Sequence, residues 1–422
     1  MEEKLKMKSN CDEKLWTKSL FILWQGQLVS SLGDAAYSIA LGFWVLQVTD
    51  STALMGTLMA ASTLPGVIIS PFAGVMIDRN NRKKLLIFTD LLRGISIVLL
   101  GILAYNNILK IWMAFLAGII LSICGAIFSP GINSSIPDLV PKSKITNANS
   151  LFAIVTNGAS MLGNITGGFL FQIIGAPLMF LFNGLSFLFS GFSILLVKIP
   201  AIEKKTDQHF LDDLKDGFDF VWELTGLRYT LLAAAFSNFF ANIAIILLLP
   251  LFQKTADLGA GKYGIAMGCF MGGAFVGFIF TSIINIPAIK KLKILIISGM
   301  IGNVCLIIAV SQSIFIVMAV MIFVGGTFNA IFNVLIMSSV QIATPQEKRG
   351  KVLSLMTMGT QGLAPFAMAL GGVLGGFLPI RSVMSICFVI AFLILIPLSF
   401  NEPFRRFINF DYENETVEDL ML

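Results

Sequence analysis

The sequence predicts an all-α membrane protein of twelve transmembrane helices, arranged as two pseudo-symmetric six-helix bundles. Three observations predict it. Of the 422 residues 56% are hydrophobic and only 13% charged, about half the charged share of a soluble domain. Apolar runs of about 20 residues, enough to cross a hydrocarbon core of about 30 Å, recur along the whole chain. The second half repeats the first at a fixed offset.

In chain order the apolar runs place helices near 18–46, 52–77, 84–105, 110–137, 145–173, 176–198, 227–253, 262–285, 291–310, 313–340, 349–377 and 380–400. They divide the chain into a bundle over 1–198, a linker over 199–226, a bundle over 227–400 and a tail over 401–422. If alternate connections lie on opposite sides, one side collects Lys4 to Lys18, Arg79 to Lys84, Lys142, Lys144, Lys198 to Arg228, Lys290 to Lys293, Lys348 to Lys351, Arg405 and Arg406. The other receives only Lys110, Lys254, Lys262 and Arg381. Bases are retained on the cytoplasmic side, so the protein is expected in the cytoplasmic membrane with both termini inside. This also accounts for the net charge of +5 without a nucleic-acid partner.

Cys11, Cys124, Cys269, Cys305 and Cys387 show neither paired spacing nor a histidine cluster, so no disulfide, metal or cofactor is expected. The first apolar run lacks a small-residue cleavage site, so no removable signal peptide is expected. In the linker, Phe210, Leu211, Leu214, Phe218, Val221 and Trp222 recur at helical spacing opposite Asp212, Asp213, Asp216 and Asp219. That pattern describes an amphipathic helix along the cytoplasmic surface. His209, the single histidine, is expected to be solvated there.

Sliding the chain by 204 positions aligns 126–170 with 330–374 without a gap. The matches include Ala126, Ile127 and Phe128 with Ala330, Ile331 and Phe332, Pro141 with Pro345, Gly158 with Gly362, and Gly167 and Gly168 with Gly371 and Gly372. Apolar bias alone does not place prolines and glycines in register. A repeat in one orientation implies bundles related by an axis along the membrane normal, with a solute site near midplane. The offset pairs Asp34 with Asn238.

Between the second and third helices, Gly74 is followed by Asp78, Arg79, Arg82, Lys83 and Lys84. This loop resembles the signature of the major facilitator superfamily, which implies that fold and a charged latch on a cytoplasmic gate. The resemblance covers nearly the whole chain and sharpens toward the macrolide-efflux and enterobactin-exporter-like branch. It is carried there by Gln27 with Ser30 to Asp34, Asp90 with Arg93, Pro137 to Pro141, Asn147 to Leu151, and Arg349 to Val352. Gly163 to Gly168 is similar to the antiporter motif of exporters, with Asn164 where that motif has proline.

Asp34 lies near the centre of the first helix, where an ionised side chain costs about 2.5–3.5 kcal/mol and therefore faces a cavity or a partner. It is read as the single acid so deep in the spans. At helical spacing it shares a polar stripe with Gln27, Ser30, Ser31, Tyr37 and Ser38. Two readings stay open: Asp34 takes up and releases the coupling proton, or it fixes helix 1 against helix 7 through Asn238. Asp90 and Arg93, three apart and nearer the cytoplasmic end, are read as a secondary ion pair. Asn164, Asn238, Asn242, Asn329, Asn333 and Gln361 are expected either to line the cavity or to bond between helices. The 37 Phe and 19 Met residues suit an adaptable greasy cavity.

These features point to a monomeric secondary transporter in the bilayer, a proton-coupled antiporter exporting a hydrophobic or amphipathic small molecule of macrolide type. The alternatives are an uptake permease or facilitator for a neutral or cationic solute, since no basic residue is read near midplane, or a non-transporting receptor. No catalytic constellation supports an enzyme. If Asp78 latches the gate, Asp78→Asn lowers transport severalfold while expression stays near parental. Equal transport rates in vesicles would remove the latch role.

Overall fold

The computed structural model describes residues 15–141, 144–197, 210–284, 286–411 and 414–420, so His209 lies outside the described residues. The architecture is all helical. The crossing helices are α1 (Lys18–Thr49), α2 (Thr52–Ala61 and Leu64–Arg79), α3 (Arg82–Tyr105) and α4 (Ile111–Leu139), followed by one long element over Ile145–Leu195. After a linker helix over Phe210–Glu223 come α7 (Thr225–Lys254), α8 (Gly259–Ile283), α9 (Ala288–Ser311) and α10 (Phe315–Ala343). The chain continues with α11 (Gln346–Gln361 and Ala364–Phe377), α12 (Ile380–Phe400) and a short helix over Glu402–Ile408.

Among the described residues ten segments are long and apolar enough to cross a membrane. The twelve predicted spans are reconciled with them at two places. The Ile145–Leu195 element has 51 residues, about 75 Å of helix at 1.5 Å per residue and far more than one crossing needs. It breaks at Gly175, whose φ of 72° suits glycine alone, two residues before Pro177. The part over 145–174 is α5 and the part over 176–195 is α6. The other place is α11, whose polar first piece keeps it out of the ten. Its break at Gly362 and Leu363 comes just before Pro365, and the break in α2 comes just before Pro65. Proline lacks the N–H that would continue the ladder and crowds the preceding turn.

By packing, the chain forms two units, one of residues 1–48 and 61–206, the other of 49–60 and 207–422. The first piece of α2 therefore groups with the second unit. The cause is a glycine contact: a Cβ on Gly56 would lie 2.5 Å from the Met368 carbonyl and 2.6 Å from Cα of Gly372.

The repeat recurs in the contacts inside each unit. Helix α4 spans Ile111–Leu139 and α10 spans Phe315–Ala343, both ends being 204 apart. Gly167 of α5 packs on Ile39 of α1, and Gly371 of α11 packs on Ile243 of α7; 371 − 167 and 243 − 39 both equal 204. Gly66 of α2 meets Ser122 of α4, and the residues 204 further on, Phe270 and Gly326, also meet. At each contact a glycine lets two helices approach closely.

In the linker helix Phe220 and Val221 are buried with Leu224 in one cluster that includes Phe404, Phe407, Ile408 and Phe410. Phe218 and Trp222 are 51% and 55% exposed and stack at 5.2 Å. Of the predicted apolar face Val221 is therefore buried while Phe218 and Trp222 are not, and Phe220, outside that face, is buried beside Val221. Lys351 of α11 pairs with Asp216 of the linker helix at 3.0 Å. The side chains of Phe210 to Lys215 lie outside the described ones.

Glycine contacts give a matched test. A Cβ on Gly273 would collide with the Phe323 carbonyl, whereas one on Gly158 meets nothing within 4 Å. Gly273→Ala should destabilise the protein by about 1–3 kcal/mol, and Gly158→Ala should leave it unchanged or slightly more stable. Thermal unfolding of both variants in one detergent checks this, and equal midpoints would contradict the contact.

Candidate functional site

A polar seam runs between α1, α3 and α6 in the first unit. Asp34 of α1 is half-buried, and its Oδ1 accepts a bond from Asn183 Nδ2 of α6 at 3.4 Å. The Ser186 hydroxyl donates to the Asn183 carbonyl at 2.7 Å and lies 3.3 Å from its Oδ1, which leaves the amide NH2 turned toward the carboxyl. Asn183, Ser186, Ser190 and Ser193 are all buried and recur every three or four residues, making one face of α6 polar. The facing residues of α1 are small: a Cβ on Gly33 would fall 2.5 Å from Asn183 Oδ1, and one on Gly26 would fall 3.2 Å from Ser190 Oγ. Tyr37 continues the seam against Phe180 at 5.4 Å. Its hydroxyl is buried and has no partner among the described residues.

One turn along α6, Arg93 of α3 bonds Asp90, with Ser190 against the same carboxyl. The guanidinium lies between the rings of Phe128 and Phe187, each 4.3 Å from its carbon, a cation–π arrangement. Two expectations are corrected here. Asp34 is not the single enclosed acid, because the Asp90 side chain is 0% exposed. The interior also holds a base, since the Arg93 side chain is 7% exposed. Position along the sequence placed this pair toward a helix end; the packing of α4 and α6 over it buries it.

The other sequence candidates are more dispersed. Gln27 donates to Ser31 at 3.1 Å, and Ser30 is buried and bonds the Gln27 carbonyl. Asn164, Asn238, Asn242 and Asn333 donate to the carbonyls of Ser160, Ala234, Asn238 and Asn329, four residues back on their own helices. Asn329, Asn333 and Gln361 are exposed. Gly74, Asp78 and Arg79 of the charged loop lie outside the described side chains. Arg82 donates to the Ser134 carbonyl at 3.0 Å and to Asp138 at 3.1 Å, and Lys83 donates to the Leu195 carbonyl at 2.7 Å.

Asn183, Ser186, Ser190 and Asp138 escaped the sequence reading as functional residues. The spacing 183, 186, 190, 193 was a usable signal, but each residue stands alone in an apolar run. No group of three metal-ligating side chains occurs among the described residues.

The fold defines the class. The structure resembles a bacterial homologue of the iron transporter ferroportin in its inward-facing state, with a TM-score of 0.72, 17% identity, and coverage of 91% of this chain and 99% of that one. It also resembles the POT family transporter PepTSo, with a TM-score of 0.67 at 11% identity over 90% and 97% of the two chains. This is the major facilitator fold. Residues 15–415 match the transmembrane secretion effector family, and the chain belongs to it. Macrolide efflux protein A of Streptococcus pyogenes is 24% identical over 271 residues, covering 62% of this chain and 67% of the relative. The putative bacilysin exporter BacE of Bacillus subtilis is 30% identical over 211 residues, covering 48% and 52%. The uncharacterized MFS-type transporter YfiS of the same organism is 23% identical over 393 residues, covering 88% and 90%.

Because Gly33 sets the approach of α1 to Asn183, Gly33→Ala should push the amide off Asp34. Transport should fall severalfold while protein yield stays near parental. Parental rates in reconstituted vesicles would show that the contact is not needed.

Proposed function

We propose that this protein is a secondary active transporter that exports a hydrophobic or amphipathic compound in exchange for protons bound at Asp34. The observation that carries the reading is the carboxyl of Asp34 held by Asn183 in the interior of a secretion-family transporter. The named relatives support export: one is a macrolide efflux protein and another a putative exporter of bacilysin. A macrolide-type compound is the first substrate class to test.

An ionised carboxyl away from water opposes any step that closes it further from solvent. A proton arriving from outside neutralises Asp34 and makes that step cheaper, and release inside restores the charge. The inward proton gradient thus drives the cycle, with no chemistry on the solute. In this reading both termini are cytoplasmic, and Gly74, Asp78, Arg79, Arg82 and Lys83 form the gating loop. Gln27, Ser30, Ser31, Tyr37 and Asn164 are the proposed polar contacts to the solute in the first unit, and Asn238, Asn242, Asn329, Asn333 and Gln361 those in the second.

Asp34→Asn imitates the protonated acid and cannot cycle. Uphill export of erythromycin into an acidic proteoliposome lumen, the side that represents the exterior, should fall to the protein-free level, while downhill exchange persists. Undiminished uphill export by Asp34→Asn would refute Asp34 as the proton carrier. A panel of antibiotics and dyes screened in a drug-hypersensitive host identifies the solute if erythromycin is not exported by the parent.

A further inference from the structure

Three charges share the interior of the first unit, and their sum has a consequence for coupling. Arg93 and Asp90 bond each other with side chains 7% and 0% exposed. Phe128 and Phe187 cover both faces of the guanidinium. Its Nε has no partner among the described residues. Phe187, which touches the Arg93 guanidinium, and Asn183, which bonds Asp34, are four residues apart on α6, about one helical turn, and so lie on one face of that helix. Asp34 feels the charges of both Arg93 and Asp90.

The titratable groups around the cluster are few. Helix α1 contributes Tyr37, α3 contributes Asp90 and Arg93, and α4 contributes Cys124, which feels the same pair. Helix α6 offers only the neutral Asn183, Ser186 and Ser190, and α5 meets α1 there through Gly163 on Ala35.

We propose that Asp34, Asp90 and Arg93 act as one charge unit, in which the Asp90–Arg93 pair reserves Asp34 for a single exchangeable proton per cycle. The proposal rests on the reading of Asp34 as the proton carrier. Arginine stays protonated, so two carboxylates and one guanidinium sum to one negative charge, and one proton on Asp34 brings the unit to neutrality. Uncompensated charge inside protein is strongly disfavoured, so neutrality is the state the surroundings select. Asp90 and Arg93 act through Asp34 and are positioning residues. Without Asp90, Arg93 would neutralise ionised Asp34 and leave no reason to bind a proton. Without Arg93, two carboxylates would each demand one.

Packing alone does not require this unit. At the 204 offset the second unit has Asn238, Ile294 and Ile297 at these positions. At the offset of 206 given by the starts of α3 and α9 (288 − 82), it has Ile296 and Gly299 in place of Asp90 and Arg93. The second unit folds with no charge there in either register.

The test is an infrared difference titration of the purified full-length protein in lipid nanodiscs, reading the C=O band of a poorly hydrated carboxylic acid. No solute or gradient is needed. The parent should show one such titrating acid, which Asp34→Asn abolishes. Asp90→Asn should also abolish it, although Asp34 is still present. The double variant Asp90→Asn with Arg93→Gln should restore one titrating acid, and Arg93→Gln alone should give two. A purely structural ion pair predicts none of this pattern. A parental titration by Asp90→Asn, or a double variant with no titrating acid, overturns the charge unit even if Asp34→Asn has lost uphill export. Conversely, the expected titration pattern with undiminished uphill export by Asp34→Asn would refute the carrier reading and leave the charge unit standing.

Discussion

Helix α1 holds an acid inside the first unit because it lies against α6 along a seam with no room for larger side chains. Gly26 faces Ser190 and Gly33 faces both Asn183 and Ser186, at separations that a Cβ could not enter without displacing them. Close approach lets the short Asn183 side chain reach Asp34, while Ser186 turns its amide the right way round. The same seam fixes the rotation of α6 about its axis. Once Asn183 faces α1, Phe187 and Ser190 on the same face are delivered to Arg93 and Asp90, and α3 is held in register. The polar interior is therefore a consequence of two glycines.

The two units share helix contacts but not chemistry. Gly167 on Ile39 and Gly371 on Ile243 are the same contact in each. The α6 residues Asn183, Ser186 and Ser190 correspond at that offset to Cys387, Ile390 and Ile394 of α12. The first unit has a hydrogen-bonded, charged cluster at these positions, where the second has apolar residues along α12. Buried polar groups need partners and buried charges need compensation. The second unit has no charge at these positions and keeps one neutral amide, Asn238, at the place of Asp34.

Amides in the spans illustrate how little an isolated polar residue specifies. Asn164, Asn238, Asn242 and Asn333 each donate to the carbonyl four residues back. An asparagine in a helix always has that acceptor within reach, whatever helix lies alongside. Asn183 is different because Ser186 occupies its Oδ1 while the approach of α1 presents a carboxyl to its NH2. An adjacent polar partner, rather than the amide itself, converts a solitary residue into part of a site.

The sequence by itself determined the helices, their approximate ends, the repeat, and the polar stripe containing Asp34. These are properties of one helix at a time: apolar runs long enough for hydrocarbon, prolines that stop a ladder, and spacing that places residues on one face. Packing decided which residues meet. Asp34 meets Asn183, 149 residues away, a partner that no spacing along α1 announces. Asp90 and Arg93 were legible as neighbours three apart, but their burial depends on Phe128 and Phe187 arriving from two other helices. The apolar face read for the linker helix divided for the same reason, Val221 joining a cluster with residues near 404–410 while Phe218 and Trp222 stay exposed. Periodicity describes how a helix is painted around its own axis. Which painted face meets which neighbour depends on small residues at helix crossings, and those distances exist only once the helices have packed.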